Sequence, residues 1–227
     1  MFNIDLHRFN LVQILKDIYS DIAISSLLGF KGGTACHLLY NLPRFSVDLD
    51  FDLLDEKRAP IVFKKIENIL KNYGQIKEKS DKRQTLFFVL SYEEMARNIK
   101  VEISKRNFGS GYEVKNYLGI PLLVMKKEDI LAHKLVALLE RRKQANRDLF
   151  DLWFMLKKNW EVDEEIIKTR TKMSLKKYLK KCLQFVEKVN NKHILVGMGE
   201  LLDEKTKVWA KQHLKEDLLF LIRLRLK

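Results

Sequence analysis

An α/β first half followed by an all-helical second half is the fold this sequence predicts, and three observations lead to it. Up to about Met125, helical and alternating apolar patterns mix with turn signals. Beyond that point the periodicity is helical throughout, and the same stretch has no proline and very few glycines. With 227 residues, 46% of them hydrophobic, the chain is long enough to bury a proper core. The composition shift divides it into residues 1–125 and 126–227.

The elements follow in order. Phe9, Val12, Leu15, Ile18 and Ile22 recur at helical spacing, which predicts an amphipathic first helix. "GFKGG" interrupts it, "TACHLLYNL" reads as a short helix entered through Thr34, and "RFSVDLDFDLL" reads as a strand. "RAPIVFKKIENILKNYG" predicts a helix with Pro60 near its start and Gly74 at its end. Strands are expected at "QTLFFVLSY", "NIKVEISKR" and "YLGIPLLVM". From Lys126 onward every segment reads as helix, including the basic run "KTRTKMSLKKYLKK".

The 43 Lys and Arg outnumber the 30 Asp and Glu, for a net charge of +13. That balance favours polyanionic partners, nucleic acid foremost. No apolar run approaches the roughly 20 residues of a spanning helix. The N-terminus has aspartates among its apolar residues and no small-residue cleavage site, so a cytoplasmic protein is expected. Cys36 and Cys182 stand far apart and outside any ligand pattern, which argues against a disulfide framework or a zinc motif.

Against this basic background, "SVDLDFDLL" places Asp48, Asp50 and Asp52 at every second position. In a strand they share one face, with Leu49, Phe51 and Leu53 on the other. Neighbours on such a face stand roughly 7 Å apart, at about 3.3 Å per residue. Unpaired carboxylates at that spacing repel; a divalent cation between them keeps both ionised and uses them as oxygen ligands. Upstream, Gly32 and Gly33 suit a main chain that approaches a ligand closely before a helix, whose bare N–H groups bind anions such as a triphosphate. Glu102, between Val101 and Ile103, is the natural third carboxylate.

These residues resemble the DNA polymerase beta-like nucleotidyltransferase superfamily, and "KGGTACHLLYNLPRFSVDLDF" together with "HKLVALLERRKQANRDLFDLWFML" more narrowly resembles the AbiEii/AbiGii toxin family. The resemblance runs from about Gly29 to Leu156. It implies an α+β fold: an N-terminal nucleotidyltransferase-like mixed sheet with flanking helices, then a C-terminal helical bundle that completes the nucleotide site. It also implies transfer of a nucleotide from an NTP with release of pyrophosphate, two Mg²⁺ ions with Mn²⁺ as an alternative, a cognate antitoxin, and a tRNA acceptor as in some members.

The expected catalytic residues are Asp48, Asp50, Glu102, Lys134 and Asp148. The first three are metal ligands, with Glu102 the alternative general base. Gly32, Gly33, Thr34, Ser46, Lys134, Arg141 and Arg147 are expected around the nucleotide. On a continuous helix Lys134 and Arg141 point nearly the same way, toward phosphates. The run "RRKQAN" leaves the choice between Arg141 and Arg142 open, as it leaves that between Asp148 and Asp151, which also suit capping or pairing with Arg147. His133 reads as structural, and Phe150, Trp153 and Phe154 read as core. Transfer to a protein or small molecule and a non-catalytic basic binding module are the other readings; cationic drugs as acceptors call for an acidic pocket instead.

Overall fold

The computed structural model describes residues 3–94, 97–141 and 145–227. Its strands are β1 (Leu28–Lys31), β2 (Leu49–Leu53), β3 (Gln75–Lys82), β4 (Thr85–Ser91), β5 (Ile99–Ser104), β6 (Tyr112–Tyr117) and β7 (Ile120–Met125). The helices are α1 (Ile4–Ser20), α2 (Gly32–Tyr40), α3 (Ala59–Lys71), α4 (Lys127–Glu140), α5 (Asn146–Lys157), α6 (Glu164–Thr171), α7 (Leu175–Lys188) and α8 (Glu204–Leu226). This is the α+β class, a mixed sheet with helices followed by helices alone. The chain divides into a sheet unit of Met1–Asn41, Phe45–Asn107 and Tyr112–Met125, and a helical unit of Leu42–Arg44, Phe108–Gly111 and Lys126–Lys227.

The seven strands lie in the order β3-β4-β5-β2-β1-β7-β6. β2 is the central strand, antiparallel to β1 and parallel to β5. Its Leu49, Phe51 and Leu53 are buried, so the alternate aspartates are set on the opposite face by the period of two. Leu11, Ile14, Leu15 and Ile18 of α1 are at most 1% exposed, each burial contributing about 1.5–3 kcal/mol. This face is turned from the one expected. Phe9 and Ile22 are exposed, and the helix stops at Ser20 before Ile22 is reached.

Other differences are local. The helix expected from Thr34 begins at Gly32, with Lys31 as its cap. "YLGIPLLVM" is split by a turn: Tyr117 closes β6, Leu118 and Gly119 adopt positive φ, and Ile120 opens β7. Such a two-residue left-handed turn matches the twist of a hairpin. β3 has an almost wholly polar sequence and no apolar alternation to betray it; as an edge strand with three lysines it resists further strand pairing.

In the helical unit α5 is enclosed. Every residue from Asp148 to Leu156 is buried, including Phe150, Trp153 and Phe154. The Trp153 and Trp209 rings lie 4.1 Å apart with Phe150 against both, so this aromatic set is core. Among the described residues no helix is long and apolar enough to cross a membrane.

Candidate active site

In the sheet unit β1 delivers the chain to Gly32, whose φ is +80°. A Cβ on Gly32 would overlap Asp50 Oδ2. Glycine here therefore does two things: it takes the left-handed turn that starts α2 and leaves room for the Asp50 carboxylate against that turn. Asp50 is half-buried and pairs in register with Lys31 on β1 and Glu102 on β5. In-register residues of neighbouring strands lie on one face, and the strands are about 4.8 Å apart. Asp50 and the exposed Glu102 are thus adjacent carboxylates on the face away from the core.

Asp48 immediately precedes β2 and is half-buried. Its peptide is held from two sides. The Thr34 hydroxyl donates to the Asp48 carbonyl, and His7 Nε2 donates to the carbonyl of Val47 at 2.9 Å. A carbonyl only accepts, so Nε2 carries the hydrogen, and Nδ1 accepts from the Tyr92 hydroxyl at 2.9 Å. His7 is fully enclosed, and burial lowers its pKa below the ordinary value, which keeps this neutral tautomer at neutral pH. Thr34 is buried and Gly33 lies beside it in the first turn of α2; Ser46 is buried two residues before Asp48.

The third aspartate has a different fate. Asp52 accepts from Lys31 Nζ at 2.6 Å and from the Tyr112 hydroxyl at 2.8 Å. Tyr112 comes from β6 by passing over Gly29, where a Cβ would overlap its ring. The repulsion along β2 is thereby relieved at one end. Asp48, Asp50 and Glu102 carry carboxylate oxygens, the donor type that suits Mg²⁺, and Gly32 leaves room for the Asp50 carboxylate. Among the described residues no three His, Cys, Asp or Glu side chains converge closely enough to form a metal cluster.

The helical unit carries a second charged group. Asp151 is fully buried and accepts a fork from Arg44, Nε to Oδ1 at 2.6 Å and Nη2 to Oδ2 at 2.7 Å. Lys134 Nζ lies 2.7 Å from Asp151 Oδ2 and 3.0 Å from Asp148 Oδ1. Arg141 Nε lies 2.7 Å from Asp148 Oδ2. Burial opposes charge on Lys134, but Asp151 and Asp148 outweigh it and raise its pKa, so it is an ammonium and no base. Burial opposes the Asp151 charge too; Arg44 and Lys134 overcome it and hold that carboxyl far below the usual range.

Lys134 and Arg141 do meet, but on Asp148, and by a different route from the continuous helix expected: α4 ends at Glu140 and Arg141 is its cap. Arg147 is half-buried in the first turn of α5. Arg142, the alternative to Arg141, lies outside the described residues. His133 accepts from Arg170 and lies 2.7 Å from the Ser110 hydroxyl. Burial pushes the Cys182 thiol up to about 12, leaving it inert at neutral pH. Sequence reasoning did not find His7, Gly29, Lys31, Arg44 or Tyr112. Lys31 had a signal, being next to the glycine pair and opposite an aspartate-rich strand; Arg44 had none.

The protein is a nucleotidyltransferase by class. Residues 13–218 match the family described as nucleotidyl transferase AbiEii toxin, type IV TA system, and the chain belongs to that family. Two crystal structures from Helicobacter pylori share the fold. One, of a candidate nucleotidyltransferase, is 20% identical with a TM-score of 0.62 over 97% of this chain and 94% of its own. The other, JHP933, is 20% identical with a TM-score of 0.61 over 100% of this chain and 94% of its own. No curated protein matches this chain in sequence.

Proposed function

We propose that the protein is the toxin of a type IV toxin–antitoxin pair, acting in the cytoplasm, and that it transfers a nucleoside monophosphate from an NTP to an RNA acceptor such as the 3′ end of tRNA. The observation that carries the transfer reading is the pair Asp48, just ahead of β2, and Asp50, on the non-core face of that strand, one with its peptide held by Thr34 and His7, the other seated against Gly32. The net charge of +13 supports an RNA acceptor.

In this reading an acceptor hydroxyl oxygen bonds to the α-phosphorus, the bond from that phosphorus to the oxygen bridging to the β-phosphate breaks, and pyrophosphate leaves. Asp48, Asp50 and Glu102 would hold Mg²⁺, which when bound lowers the pKa of the acceptor hydroxyl and offsets charge on the leaving group. Glu102 is the alternative acceptor of the hydroxyl proton. Gly32, Gly33 and Thr34 present the backbone N–H groups of the first turn of α2 to phosphate oxygens, and Ser46 supports the approach to β2. Lys134, Arg141 and Arg147 contribute positive charge, and Asp148 holds the first two in place. A cognate antitoxin is the expected partner of this family.

The test is incubation of the purified protein with total tRNA, Mg²⁺ and each α-labelled NTP in turn, beside Asp48→Ala and metal-free controls. Label in RNA with wild type and metal alone is the expected result. Label in protein instead changes the acceptor, and transfer unaffected by Asp48→Ala overturns the assignment of the site.

A further inference from the structure

The helix α7 spends its two faces differently. Tyr178, Leu179, Cys182 and Val186 are buried, and the Tyr178 hydroxyl donates to the Val136 carbonyl of α4 at 3.2 Å. On the outer side Lys176, Lys177, Lys180 and Lys181 are exposed. At 3.6 residues per turn they occupy an arc of about 140°. Lys172, the left-handed cap of α6, is exposed just ahead of them. Among the described residues none of these five side chains makes an ion pair, whereas Lys71, Lys168 and Lys207 on other helices each pair with a glutamate. The acid of α7, Glu187, is already taken by Arg223 of α8 at 3.1 Å.

This arrangement works against the helix. Like charges three and four residues apart destabilise it by about 0.2–0.5 kcal/mol per pair. Lys176 and Lys177 also stand in the first turn, where the helix dipole favours acids; α1, α4, α5, α6 and α8 each carry an acid there, and α7 has none. Among the described residues no ion pair offsets this cost, and an external polyanion would. A membrane surface fits poorly, because a helix lying in lipid needs its apolar face exposed, and that of α7 is buried. A protein partner fits poorly too. Binding hot spots need large apolar or aromatic anchors, and none of the exposed large hydrophobic residues falls between Lys168 and Val189.

We propose that the outer lysine face of α7, extended by Lys172, docks the phosphate backbone of the acceptor RNA, a role that rests on the RNA reading above. The test is the salt dependence of tRNA affinity for the full chain, wild type against a variant with Lys176, Lys177, Lys180 and Lys181 replaced by glutamine. Each phosphate contact contributes roughly 0.7–0.9 to the slope of log K against log salt. Loss of four contacts therefore flattens the slope by about 3, with a raised KM for RNA and an unchanged kcat and NTP affinity. A control with Lys16, Lys57, Lys64 and Lys77, exposed residues of the sheet unit, replaced by glutamine carries the same change in net charge and is expected to keep the wild-type slope.

An unchanged slope in the α7 variant, or an equal loss in the control, overturns the docking surface while leaving the RNA reading intact. Wild type that labels protein and no RNA overturns the RNA reading, and the docking surface with it.

Discussion

Replacing Asp151 by asparagine removes one charge from an enclosed group while keeping its shape. Asp151 is 0% exposed, and its two oxygens take three contacts of 2.6–2.7 Å from Arg44 and Lys134. The variant takes the Asp151 charge away from the buried Arg44 guanidinium and from Lys134, which keeps Asp148. Removing one partner of a buried pair costs about 3–5 kcal/mol. At roughly 2–4 °C per kcal/mol for a chain of this size, the midpoint falls by about 10 °C. Tryptophan fluorescence is the natural assay, since Trp153, Trp160 and Trp209 all belong to the helical unit. Adding Arg44→Met to Asp151→Asn removes the buried guanidinium, so the double variant is less destabilised than the sum of the singles by at least about 1 kcal/mol. A loss below 1 kcal/mol for Asp151→Asn, or strict additivity, would refute the view of this group as a coupled buried network.

Two further outcomes follow from the same physics. The pKa of His7 is lowered by burial from 6.5 and that of Asp151 is lowered by its cations from 3.8; in both cases the unfolded chain binds the proton more tightly, so stability is present at higher pH and lost on acidification. The His7 contribution starts to fall below about pH 6.5 and that of Asp151 only below about pH 4, so in an acid titration a far-UV probe of the sheet departs before tryptophan fluorescence; simultaneous departure, or the reverse order, counts against this assignment. Gly32→Ala forces a side chain into a left-handed backbone and onto Asp50 Oδ2, with an expected cost of about 1–3 kcal/mol and a loss of transfer activity larger than that of an alanine at the exposed, uncrowded Gly109; equal activity in the two variants would show that the cradle is not needed.

Part of this protein is written in short-range patterns. The period of two that sets Asp48 and Asp50 opposite Leu49 and Phe51, the proline and glycine bounding α3, and the change to purely helical periodicity after Met125 involve residues one to four apart, where backbone geometry alone decides which side chains share a face. The resemblance to the AbiEii family was legible for the same reason, since its two blocks are contiguous stretches. What distinguishes Asp48, Asp50 and Asp52 from one another was not legible. Asp52 is neutralised by Lys31, 21 residues away, and accepts a hydrogen bond from Tyr112, 60 residues away, and it needs Gly29 to let the tyrosine pass.

Arg44 reaches Asp151 across 107 residues, and nothing in "LPRF" marks it as the partner of a buried carboxylate. The same limit explains α1, where several overlapping apolar stripes fit a helix and the neighbours it packs against decide that Leu11, Ile14, Leu15 and Ile18 go in while Phe9 stays out. By itself the sequence determined the residue types and the local periods, hence most of the elements and the family the chain belongs to. Only the tertiary structure decided which charges pair with one another, because burial and pairing depend on distances between segments that no local repeat encodes.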